Sequence, residues 1–198
     1  MKTYHKLIIL TLLATTGAVG LGISHKQSEL TPKIDVNLPQ ITYQQRVGQA
    51  EIYPDIVKTP GMKNLDISQS NIDQTICNSN WSTKSIRPSV QYTNSLKSQE
   101  LNSGYNYKGD TNPKNYELDH LIPLELGGNP TSEQNLWPEP YNTAINKQTI
   151  GAHEKDRVEN SLHKEVCNSD ITLQKAQEII TSDWYACYLT IKNKQICK

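Results

Sequence analysis

The residues best suited to chemistry are Asp119 and His120, neighbours in the run Tyr116-Glu117-Leu118-Asp119-His120-Leu121-Ile122-Pro123-Leu124-Glu125-Leu126-Gly127-Gly128. A second short segment, Asn135-Leu136-Trp137-Pro138, follows a polar connection. Carboxylate oxygen is the donor that a hard cation such as Mg²⁺ prefers. Imidazole is the side chain whose resting pKa suits a general base near neutrality. Phosphodiester hydrolysis needs both parts: a cation to neutralise charge developing on the phosphate, and a base to deprotonate water. Neighbours in an extended strand point to opposite faces. Asp119 and His120 can therefore serve one phosphate only where the strand ends or bends, and Pro123 with Gly127-Gly128 supplies such an irregularity.

Asn135 would begin the returning strand. Its amide could fix the His120 tautomer by accepting a ring N–H, against plain turn chemistry after a Ser-Glu-Gln loop. Glu117 shares a strand face with Asp119 and could add to a metal shell, although solvent is the default place for such an acid.

The elements that must hold these residues are legible in part. Residues 70–76 read as a short helix and 104–113, rich in Gly, Asn and Tyr, as a loop. Over residues 152–166, Val158, Leu162 and Val166 recur at steps of four, one apolar stripe on a charged helix. Asn168-Ser169-Asp170 breaks it, and Thr172 is a good N-cap for a second helix carrying Leu173, Ala176, Ile180 and Trp184 on one face. Trp184 belongs to the core on that pattern. Lys84, Arg87 and Lys97 interleave with Trp81 and Tyr92, which suits a nucleic-acid strand. A solvated surface with half-buried rings is the blander reading and the default.

The N-terminus sets the compartment. Lys2, His5 and Lys6 precede an apolar run over residues 7–23 with small residues at Ala18 and Gly20, the order of a secretory signal. We expect a signal peptide over 1–22 (or an uncleaved anchor), a polar linker over 23–63 and a folded domain over 64–198. The product would be secreted or periplasmic, with no stable membrane domain after cleavage. Four cysteines, at 77, 167, 187 and 197, fit export and disulfides. The preferred pairing joins Cys77 to Cys167 and Cys187 to Cys197. No Cys-x-x-Cys is present for a thiolate zinc cage. The 20 basic and 20 acidic residues balance, and removing Lys2 and Lys6 leaves 18 basic. No overall basic field is available to hold nucleic acid, so any grip on phosphate must be local.

Taken together, the Asp-His pair, the Pro three residues on, Gly-Gly and Asn-Leu-Trp-Pro resemble the HNH nucleases of the ββα-metal superfamily, and in particular its small exported bacterial members. The likeness runs from about Ile72 to Tyr188. It takes in Thr75-Ile76-Cys77, Ile86-Arg87-Pro88, Tyr92-Thr93-Asn94, the stretch from Lys155 to His163, and Asp183-Trp184. The resemblance implies an α+β fold: a disulfide-braced ββα-metal hairpin-plus-helix core with additional helices. It implies Asp119 as metal ligand, His120 as general base and Asn135 as the central orienting residue.

The departure from the family lies in the third position. The usual spacing from Asn135 reaches Ala144 and Lys147, which supplies no ligand, and Asn146 lies two residues beyond. A helix starting near Ala152 instead offers His153 as the second metal ligand, with Lys155 near the phosphate. Structural zinc cysteines are missing, and the Cys77–Cys167 bridge would serve instead. The implied activity is endonucleolytic, of low sequence specificity, on DNA in preference to RNA. It would use a divalent cation, Mg²⁺ foremost and Mn²⁺, Ni²⁺ or Zn²⁺ otherwise, in a monomer. The alternative is a non-catalytic exported module that keeps the fold with a decayed site.

Overall fold

Two apolar stripes decide how the C-terminal half packs. In the computed structural model, which describes residues 52–145 and 147–197, α2 (Ala152–Cys167) and α3 (Leu173–Lys192) lie against each other. Val158, Leu162 and Val166 of α2 meet Leu173, Ala176, Ile180 and Trp184 of α3, all buried in one core. Full burial of each such side chain stabilises by about 1.5–3 kcal/mol. The Thr172 hydroxyl accepts the Lys175 N–H and caps α3. The signal segment, the linker as far as residue 51, and Asn146 lie outside the described residues.

Residues 52–63, expected at the end of the linker, belong to the packed body. Ile52 and Tyr53 are in the core, Thr59 is buried, and the Trp184 indole N–H donates to the Ile52 carbonyl at 3.1 Å. Two isolated apolar residues carry no period, which is why the sequence reading began the domain later.

Preceding the helix pair are a 3₁₀ turn at Gln69–Gln74, α1 (Val90–Asn102) and two small antiparallel sheets. Strands β1 (Tyr116–His120) and β2 (Leu136–Pro140) form the expected hairpin, and β3 (Thr143–Ile145) pairs with β4 (Gln148–Ile150). The second hairpin was not foreseen. It fills the connection in which Ala144 and Lys147 would have started a helix, and α2 begins at Ala152 instead. The fold is thus α+β, with mixed helices and two small sheets.

Both expected cysteine pairs are at bonding distance. Cys77–Cys167 spans 90 residues and ties the segment after the 3₁₀ turn to the end of α2, and Cys187–Cys197 holds the C-terminal tail on α3. Such bridges persist in oxidising compartments, which is compatible with an extracellular or periplasmic protein. No helix among the described residues is long and apolar enough to cross a membrane.

Candidate functional site

The β1–β2 register puts Glu117 opposite Glu139 and Asp119 opposite Trp137. Residues directly opposite in a sheet share a face, so Glu117, Asp119 and Glu139 stand together, with His120 on the other face. The hairpin ends in a tightly fixed loop. Asn135 is buried, and its side chain accepts from Ile122 N–H at 2.9 Å and donates to Ile122 and Asn129 carbonyls, each at 3.0 Å. Gly128 passes so close that a Cβ there would meet the Ile122 oxygen at 1.7 Å, so only glycine fits.

α2 delivers Lys155 to the acidic face. A Cβ at Gly151 would lie 2.3 Å from the Tyr141 oxygen and 2.4 Å from that of Pro140, which fixes the helix start against the end of β2. The Glu154 carboxylate accepts the Gly151 N–H at 3.0 Å. One turn in, Lys155 is 0% exposed. Its ammonium donates to Asp119 Oδ2 at 2.6 Å, to the His120 carbonyl at 2.9 Å and to the Glu159 carboxylate. Three hydrogens meet three acceptors, which is how a buried ammonium avoids a large desolvation penalty.

Charge is not balanced there: Asp119, Glu139 and Glu159 surround one ammonium. Burial alone would raise Asp119, but Lys155 outweighs it and holds that carboxyl below its ordinary range. Burial, then the Asp119 charge, pushes Glu139 well up. Burial also carries Glu159 to about 8 against the pull of Lys155. Near neutrality, Asp119 is therefore the ionised partner of Lys155, and the other two carboxyls hold protons.

His120 is 6% exposed, and its Nε2 lies 2.9 Å from the Pro130 carbonyl. A carbonyl can only accept, so Nε2 carries the hydrogen and Nδ1 the basic lone pair. Burial is the main cause that lowers the His120 pKa, leaving the ring neutral at pH 7. Exposed Arg87 is within electrostatic reach of His120, Glu117 and Glu125, though burial dominates all three titrations.

The structure places three of the expected site residues as follows. The tautomer of His120 is set by the Pro130 carbonyl, while Asn135 clamps the loop that carries it. Lys155, expected near the phosphate, is buried and paired with Asp119 as its internal counter-ion. His153, one residue into the helix, is 70% exposed, pairs with Asp156 at 3.8 Å and stacks on Tyr141. It is a surface residue.

Among the described residues, the cluster with three ligand-type atoms within 4.8 Å is Cys77, His163 and Cys167. Its two sulfurs are bonded to each other, and thiolate is the form that binds metal. The oxygen donors on the hairpin fit a hard divalent cation better. Glu139 keeps both carboxyl oxygens buried on the face that bears Asp119, and its proton is shared with the Asp119 carboxylate. Glu139 had gone unassigned, although its alternation with Trp137 on the returning strand could have found it.

Lys97 and Tyr92 are used internally, donating to the Tyr116 and Thr131 carbonyls at 2.9 and 2.7 Å. Lys84 and Arg87 are exposed, and Arg87 is within electrostatic reach of His120. Comparison of the chain with protein-family models, curated proteins and solved structures returned no match.

Proposed function

We propose that the chain is an exported, metal-dependent endonuclease of the HNH type that hydrolyses nucleic acid, DNA in preference to RNA, with low sequence specificity. The observation that carries this reading is His120. It is a neutral imidazole at the end of a strand, its Nε2–H pinned by a loop carbonyl and its Nδ1 left as the base. In this reading His120 Nδ1 takes a proton from water, and Asn135 keeps the loop, and so the ring, in one orientation. Asp119 and Glu139 would hold the cation, which supplies charge neutralisation at the phosphate and at the leaving oxygen. Arg87 is the nearby exposed cation suited to a phosphate oxygen. Lys155 is a positioning residue that fixes Asp119.

The purified protein should nick plasmid DNA in Mg²⁺ or Mn²⁺, and His120→Ala should lower the rate about a hundredfold or more. Unchanged cleavage by that variant would remove His120 from the mechanism. No cleavage with Mg²⁺, Mn²⁺, Ni²⁺ or Zn²⁺ would remove the enzyme reading.

One observation favours a second reading, a non-catalytic module. Lys155 already satisfies Asp119 from within, as a permanent internal cation would. That version binds no divalent ion and gains no thermal stability from one, which calorimetric titration reads directly.

A further inference from the structure

The Cys77–Cys167 bridge and His163 form a group that the hairpin chemistry does not use. His163 and Cys167 lie four residues apart on α2, and that spacing puts both on one helix face. Cys77 is brought to the same face from the segment after the 3₁₀ turn, 90 residues away in sequence. His163 Nε2 stands 3.4 Å from Cys167 Sγ, and the ligand atoms of all three residues lie within 4.8 Å of one another. All three residues are half-buried, so solvent reaches the group.

A tetrahedral zinc ion bound by two sulfurs and a ring nitrogen holds those atoms roughly 3.5–3.8 Å apart. The Nε2–Sγ separation is already close to that spacing. Two adjustments separate the present arrangement from such a site. The bonded sulfurs would have to part by about 1.7 Å, which only reduction allows. Nε2 also faces the Ile76 carbonyl at 2.8 Å and so carries a hydrogen. The neutral ring would exchange it for one on Nδ1, the tautomer that frees the Nε2 lone pair. The other bridge offers no such set. Cys187 and Cys197 are buried, and among the described residues no third ligand-type group joins them.

We propose that Cys77, His163 and Cys167 form a zinc site that opens when their bridge is reduced. The same two segments are then tied by cystine in an oxidising medium and by Zn²⁺ in a reducing one. A dithiol reductant passes two electrons and two protons to the cystine, becoming a disulfide itself and leaving two thiols. Zn²⁺ displaces both thiol protons to solvent and takes the two thiolates and the Nε2 lone pair, with water in the fourth position. Two thiolates cancel the charge of the ion, so the half-buried site carries no net charge. Thiolate and imidazole suit Zn²⁺, whereas Mg²⁺ prefers oxygen. The inference is therefore independent of the proposed function and of any cation on the Asp119 face.

The test uses the whole protein, reduced with a phosphine that competes poorly for metal, and Co²⁺ as the optical probe of the zinc position. Added Co²⁺ should give a thiolate-to-cobalt charge-transfer band, which oxygen ligands on the hairpin cannot produce, and Zn²⁺ should bleach it. Cys167→Ser should abolish the band, and His163→Ala should weaken cobalt binding about tenfold or more. Cys187→Ser with Cys197→Ser should leave it unchanged. Zinc at about a hundred times its dissociation constant should raise the unfolding temperature of the reduced protein by about 5–10 °C, a gain lost in reduced His163→Ala. No band in the reduced protein would overturn the site, as would a band indifferent to His163→Ala or one that needs Cys187 and Cys197. Should reduction unfold the chain, Zn²⁺ must restore its near-ultraviolet circular dichroism, and binding that leaves it unfolded would overturn the site too.

Discussion

The two charged regions of this molecule handle cations in opposite ways. Between the β1–β2 hairpin and α2, Lys155 is enclosed and every ammonium hydrogen is taken by Asp119, Glu159 and a backbone carbonyl. Around a cavity walled by Tyr105, Tyr107 and Trp137, Lys58 and Lys108 lie over tyrosine rings and face solvent. Burial makes the first region an electrostatic unit whose members set one another's protonation. Exposure leaves the second in contact with solvent. A closed region orients its groups, and an open one leaves them to water. On this contrast, changes in the closed region should appear in folding and turnover more than changes in the open region do.

The largest effect is expected at Lys155. Replacing it with Met leaves the Asp119 carboxylate buried beside no cation, and breaking a buried pair this way costs about 3–5 kcal/mol. Adding Asp119→Asn should restore a large part of that stability, since the uncompensated charge is then gone. Urea unfolding of the two single variants and the double variant measures the coupling. If Lys155→Met costs no more than a surface substitution, Lys155 is not an internal counter-ion and the contrast fails.

Next comes Asn135. Asn135→Ala strips partners from the Ile122 N–H and from the Ile122 and Asn129 carbonyls. Unsatisfied buried groups of this kind destabilise by about 2–3 kcal/mol in total after relaxation. The same change frees the loop that carries Pro130, so the His120 ring should lose its fixed orientation. NMR of the imidazole nitrogens reads that loss independently of stability, and a retained Nε2–H tautomer in a well-folded variant would show that the loop does not depend on the clamp.

How much of this the sequence disclosed follows the range of each interaction. The α2 and α3 stripes, the Thr172 cap and the Asp119-His120 hairpin rest on periodicity and turn chemistry within a few residues, and all were legible. The Lys155–Glu159 spacing of four was open to the same reasoning but went unread, and nothing local says that both are buried. What escaped depends on register and on distant partners. Glu139 joins Asp119 only once the pairing of Asp119 with Trp137 is known. The ring of His120 meets a carbonyl ten residues away, and Ile52 meets Trp184 across 132 residues. The exposure of His153 was likewise not legible, because a histidine near a helix start carries no sign of which side faces water.

The smallest effect is also the sharpest probe of the closed region. Glu159 titrates near 8 in the folded protein against an ordinary value of 4.5, so the unfolded chain releases this proton first as pH rises. Between those values the folded state binds more protons, and stability must fall with pH, by up to about 1.4 kcal/mol per unit per proton, levelling above 8. Burial raises Glu139 in the same direction, whereas Asp119, held low, acts oppositely and only in acid. Urea unfolding from pH 7 to 8, above the range in which His120 titrates, should therefore show declining stability, with a shallower decline in Glu159→Gln by about 1 kcal/mol over that unit. Identical slopes would mean that Glu159 is an ordinary ionised partner of Lys155. The pocket would then hold two full negative charges around one ammonium, the arrangement most in need of a second cation.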